Sequence, residues 1–169
     1  MRIADVLLLD YDGEIAATRR ILALVPDSQP DFKPHEKSTT ISKLALHIAT
    51  LPRFGTAIIT KPEFNMADPA QKLPVIEYKS TADTLAHFDR FAAEARAALA
   101  AATDESLQQS WKFSFGDRII GNWPRMLNWR FLFFNHMMHH RSQLLVYLRL
   151  LDIPLPATYG PSADDRMGF

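Results

Sequence analysis

A long helix near the C-terminus constrains this chain more than any other feature. The densest apolar segment runs from Met126 to Leu151, broken by Arg130, His136, His139, His140, Arg141 and Arg149. Pro124 suits a first helical turn, and Pro154 with Pro156 forbids continuation. The helix is therefore predicted from about Pro124 to about Asp152. At about 1.5 Å per residue, its roughly 28 residues span roughly 42 Å.

Three further helices are legible from apolar residues spaced three and four apart. The first spans about Ile3 to Leu24 on Val6, Leu7, Ala17 and Ile21, with Asp12-Gly13 as a turn signal inside it. The second starts between Ser38 and Ser42 and ends before Pro62, on the stripe Ile41, Leu44, Ala45 and Ile48. Pro52 predicts a kink or break near Ile48. The third follows Ser80, whose partner Asp83 resembles the far end of a capping box. It carries Leu85, Phe88, Ala92, Ala95 and Leu99 and fades near Ala102. Trp111, Phe113 and Phe115 alternate with polar residues ahead of Gly116-Asp117, which reads as a short hairpin or as an irregular linker with aromatic anchors. The tail from Pro154 to Phe169 should be extended over the surface. The expected fold is all-α: one domain over residues 1–169, a four-helix bundle whose connections of about 15 and 20 residues suit crossovers better than tight hairpins.

Composition narrows the chemistry. The chain has no cysteine, so disulfides, thiolate metal ligands, iron–sulfur clusters and a thiolate nucleophile are excluded. Nineteen basic and nineteen acidic residues leave no bulk field to attract nucleic acid or an anionic membrane. No signal-peptide core and no membrane-spanning run occur, which makes the cytoplasm the expected location. Chemistry has to come from histidines, carboxylates, hydroxyls or a bound cofactor.

Three of the six histidines fall in His136-Met137-Met138-His139-His140. Residues i and i+4 of a helix share a face, so His136 and His140 can point two imidazoles at one ion. A His136–His139 pairing is also open, since i and i+3 are neighbours. His47 is the best third ligand, because it follows Leu44 and Ala45 on the second helix's apolar stripe and a buried imidazole must be bonded or coordinated. Three neutral imidazoles would leave open positions on the ion, as catalytic rather than structural sites do. His35 and His87 read as loop or solvent-facing residues. Gln143 and Tyr147 lie on the face of His140 and could orient it, and Asp10 or Glu14 of the first helix could bond an imidazole.

Other chemistries fail on inspection. A zincin helix needs Glu where Met137 stands. No Glu-x-x-His pair supports a ferritin-like dimetal site. Neither a Gly-x-Ser-x-Gly elbow nor a phosphate-binding glycine loop is present.

Two segments resemble the motifs of the DinB-like superfamily. One is Lys33-Pro34-His35-Glu36-Lys37-Ser38 leading to Leu44-Ala45-Leu46-His47-Ile48-Ala49. The other is His136-Met137-Met138-His139-His140-Arg141-Ser142-Gln143-Leu144 with Tyr147-Leu148-Arg149. Pro154-Leu155-Pro156 and Tyr159-Gly160-Pro161-Ser162-Ala163-Asp164 continue the similarity, which covers essentially the whole chain. Ser142 departs from the family's frequent Gly and touches no ligand position. The resemblance implies a four-helix bundle, usually homodimeric, binding a divalent metal through His47, His136 and His140. It prefers His140 over His139. Relatives include thiol-dependent transferases and isomerases, and many members have no known reaction.

Two functions of different class follow as expectations. One is a metal-dependent enzyme, a thiol transferase or relative acting on a small molecule, with an external thiol supplying the nucleophile the chain lacks. The other is a non-catalytic metal-binding or dimeric interaction protein. Imidazole ligands suit zinc, nickel, copper or iron, with zinc or nickel expected. For a homodimer, the expected contact face of the last helix is Phe131, Phe134, Met138 and Leu145, opposite His136.

Overall fold

The computed structural model describes residues 1–166, and the end of the predicted tail, residues 167–169, lies outside them. Helices dominate: α1 (Ile3–Leu22), α2 (Ile41–Thr60), α3 (Thr81–Ala101), the short α4 (Asp104–Gln108), α5 (Arg125–Asn128) and α6 (Asn135–Leu150). Strands β1 (Glu63–Asn65), β2 (Ser110–Phe115) and β3 (Arg118–Pro124) form a small sheet ordered β1-β2-β3. The chain is thus mostly helical but not all-α.

The first helix runs through Asp12-Gly13 without a turn. Two arginine–carboxylate pairs hold its exposed side to α3, Arg96 to Asp12 at 2.7 Å and Arg19 to Asp89 at 2.8 Å. Buried Tyr11 also donates to the Ala92 carbonyl at 2.8 Å. These contacts override the local turn preference of the dipeptide.

Pro52 sits inside an unbroken α2, contrary to the expected kink or break near Ile48. Proline forfeits the hydrogen bond to the Ile48 carbonyl there, a local cost that the packing of the helix outweighs. Burial of Leu44, Ile48, Leu51 and Ile58 then holds both halves against one core. The helix ends on side-chain donors: Arg125 Nη1 reaches the Ile58 and Lys61 carbonyls and Trp111 Nε1 reaches Lys61 at 3.0 Å. Ser80 caps α3 as predicted, accepting from the Asp83 N–H at 3.1 Å.

The aromatic stretch is a hairpin. Phe115 pairs with Arg118 across Gly116-Asp117, and Gly116 takes φ +58°, a value glycine adopts without strain. β1 adds to β2 in parallel with Phe64 opposite Phe113. Both rings pack on Phe54 of α2, at 5.2 and 5.3 Å between centroids. The connection from Lys61 to Lys79 thus contributes a strand to the sheet.

Between α5 and α6 the last helix widens into a π-helical segment, Trp129–Phe134. Tyr11 of α1 packs on its Trp129, Phe133 and Phe134 rings and α2 lies against its other side, which explains its apolar character on both sides. Phe133 faces α2 so closely that a Cβ at Gly55 would stand 2.7 Å from its ring. Gly55→Ala should therefore cost about 1–3 kcal/mol by overpacking, read as a lowered urea midpoint with unchanged slope. Phe134 is buried against Tyr11 and Trp129, so it is not on an outer face as the sequence reading placed it. Among the described residues no helix is long and apolar enough to cross a membrane.

Candidate metal centre

The structure brings His47, His136 and His140 together: one ring nitrogen from each lies within 4.8 Å of the others. α2 presents His47, one turn after exposed Lys43, and α6 presents the other two at adjacent turns. Ring centroids are 4.6 Å apart for His47–His140 and 5.3 Å for His47–His136.

The arrangement on α6 carries the most information. His136 Nδ1 faces the Leu132 carbonyl at 3.3 Å, an oxygen within the π-helical segment. His140 Nδ1 faces Gln143 Oε1 at 2.7 Å. Oxygen acceptors beside both Nδ1 atoms favour the Nδ1–H tautomers, which turn both Nε2 lone pairs outward. Those two Nε2 atoms are 2.8 Å apart. At that separation the two nitrogens share either a proton, as an N–H···N hydrogen bond, or a common metal ion. The donor set thus fits a divalent ion with nitrogen ligands.

Ligands at about 2.1 Å from a tetrahedral ion stand about 3.4 Å apart, so closing the cluster asks its wider pairs to draw in by up to about 1.4 Å. His47 is the most open of the three, exposed where its place on the α2 stripe predicts burial. Desolvation, then the neighbouring His140 and His136, push the His47 pKa down to about 4, and desolvation likewise lowers that of His136. Near neutral pH His47 is therefore neutral and its lone pair is available for coordination.

Other predicted participants separate cleanly. His139 is exposed and only flanks His140, at 5.0 Å between centroids. His35 lies in a loop, accepting from the Lys37 N–H, and His87 pairs with Asp83 at 3.4 Å. Gln143 does hold a cluster imidazole. Tyr147 instead donates to the Thr39 carbonyl at 3.0 Å, anchoring the loop before α2. Asp10 pairs with Arg130 at 3.0 Å and Glu14 with Arg141 at 2.6 Å, so neither carboxylate bonds an imidazole. Sequence reasoning missed the Leu132 carbonyl, because nothing in Trp129–Phe134 announces a π-helical turn.

A cavity of about 730 Å³ opens beside the cluster, with His47 and His136 in its wall and Phe54, Phe64, Phe113 and Leu132 among its apolar lining.

Comparison with known proteins agrees with this architecture. A family model described as the DinB superfamily matches residues 10–144. YrdA of Bacillus subtilis (strain 168) is 27% identical over 169 residues, covering 98% of this chain and 93% of that protein. A solved DinB-like protein from Bacillus subtilis superposes with a TM-score of 0.67 at 19% identity, over 94% of this chain and 98% of its own. A DinB-like protein from Bacillus cereus ATCC 10987 gives 0.66 at 22% identity, over 90% and 95%. These structural likenesses speak to the fold.

Proposed function

Since the chain belongs to the DinB superfamily, we propose that His47, His136 and His140 hold one divalent ion, zinc or nickel, as the centre of an enzyme acting on a small molecule. The single observation that carries this reading is the 2.8 Å approach of two Nε2 atoms whose Nδ1 partners are oxygen acceptors. Three neutral ligands leave the ion its full charge and open positions, and when bound it would supply Lewis acidity towards a thiol or water. The residues of the chain do the rest. Gln143 holds the His140 ring, the Leu132 carbonyl holds that of His136, and the cavity wall keeps one side of the cluster apolar.

The chain has no cysteine, so a thiol nucleophile would arrive as a cosubstrate, which favours a thiol transferase or isomerase. The test is thiol-dependent turnover of small electrophiles by metal-loaded protein, set beside metal-stripped protein and His47→Ala. Turnover indifferent to His47 sinks the catalytic reading. Gln143→Leu should weaken metal affinity by about 10–100-fold, measured by competition with a chromogenic chelator, because the His140 ring loses its acceptor.

A homodimer is the second element of the proposal. Phe131 is 53% exposed and Val146 57% on one side of the last helix. Leu9 of α1 is 74% exposed one residue before Asp10, whose partner Arg130 precedes Phe131. Phe131→Asp should convert dimer to monomer on sizing with light scattering, and an unchanged mass would remove this face from consideration.

A further inference from the structure

The cavity has a polarity of its own. Lys43, His47, Thr50 and Phe54 recur at helical spacing along one side of α2 and all line it. Read from the N-terminal end of α2, the order is an ammonium, an imidazole, a hydroxyl and an aromatic ring. Phe54 then meets Phe64 and Phe113 of the sheet, so the far end is an aromatic floor. The eleven-residue rise from Lys43 to Phe54 is about 16 Å.

Charge around the cavity is one-sided. Besides the two histidines, the ionisable residues lining it are Lys43, Arg53 and Lys72, with no carboxylate among the described lining residues. Arg53 is occupied, donating to the Pro74 carbonyl at 2.9 Å and stacking over Phe91. Neither Lys43 nor Lys72 has an acidic partner among the described residues. In a chain of zero net charge this is a local excess, not a consequence of composition.

We propose that the cavity binds an elongated amphiphilic anion, its carboxylate-like head beside Lys43 and the histidine cluster and its acyl or aryl body laid along α2 to the Phe54–Phe64–Phe113 floor. The class follows from the lining. An apolar trough rewards an apolar body, unpaired ammoniums select an anionic head, and about 730 Å³ suits a small organic molecule. The head-inward orientation rests on reading the cluster as the reacting end, whereas the trough and its charge do not depend on a metal. A chain of twelve carbons matches the distance from Lys43 to the floor.

Dodecanoate, below its micelle concentration, is the probe. Isothermal titration of the full chain, metal-loaded and metal-stripped, should give about one dodecanoate per chain and no binding of dodecyltrimethylammonium. Lys43→Glu, in the first turn of α2 where a carboxylate suits the helix terminus, should weaken dodecanoate at least about tenfold. Thr50→Trp, which fills the middle of the trough, should abolish binding. In nitrogen-15 spectra the His47 and His136 imidazoles should shift on binding while His35 does not. Equal binding of the cationic and anionic amphiphiles, or indifference to Lys43→Glu, overturns the proposal. Metal uptake without dodecanoate binding overturns it while sparing the metal centre. Dodecanoate binding by a chain that takes up no metal upholds the trough and defeats the metal reading instead.

Discussion

Protein carrying His136→Ala and His140→Ala together is expected to purify without bound metal, where the native chain carries about one divalent ion. Two of three ligands are lost, and His47 alone on α2 cannot hold an ion against water. Stability reports the same event independently of any reaction. An ion that binds only the folded chain stabilises it by about 2.7 kcal/mol at a hundred times its dissociation constant. For a chain of this length that raises the melting temperature by roughly 5–11 °C. Native protein should show that rise on addition of zinc or nickel, and the double variant should show none. Without metal the variant should remain folded, because α6 is held in the core by Met137, Leu144 and Leu148 rather than by the two imidazoles. An element content unchanged by the two substitutions would end the proposal.

The clustering of these three histidines is partly legible in the sequence, and the reason is geometric. The i, i+4 spacing of His136 and His140 survives any packing that keeps α6 helical. His47 could be ranked third only because the stripe of Leu44, Ala45 and Ile48 oriented α2 towards the core. Features that depend on distant partners could not be read. β1 is three residues long, and its pairing with β2 bridges about fifty positions, so no local period marks it. Pro52 was read as a breaker on local grounds, and the core on both sides of it kept α2 whole. Apolar residues all round the last helix fit either a central place in the core or a face shared with a second copy, and local pattern does not separate the two for Phe134. Two helices flank it, and Tyr11 of α1 covers that ring.

Arg141→Met should be among the most destabilising single replacements in the chain, at about 3–5 kcal/mol. The guanidinium is 2% exposed and reaches Glu14 Oε2 at 2.6 Å, Thr18 Oγ1 at 3.2 Å and the Tyr159 hydroxyl at 2.8 Å. One residue thereby joins α6, α1 and the C-terminal tail. Methionine fills similar space but strands the Glu14 carboxylate, which is largely buried, without its countercharge. Adding Glu14→Gln should therefore restore a large part of the loss, and a double-mutant cycle by urea denaturation measures the coupling. Arg141 follows His140 directly, yet about 100° of helix rotation aims it away from the cluster, towards α1. Folded Arg141→Met protein should consequently still take up about one ion per chain. The histidine pair should show the reverse pattern, losing the ion while keeping the fold. If Arg141→Met instead abolished metal uptake in protein shown to be folded, the division of α6 into a metal-facing and a fold-holding side would be wrong.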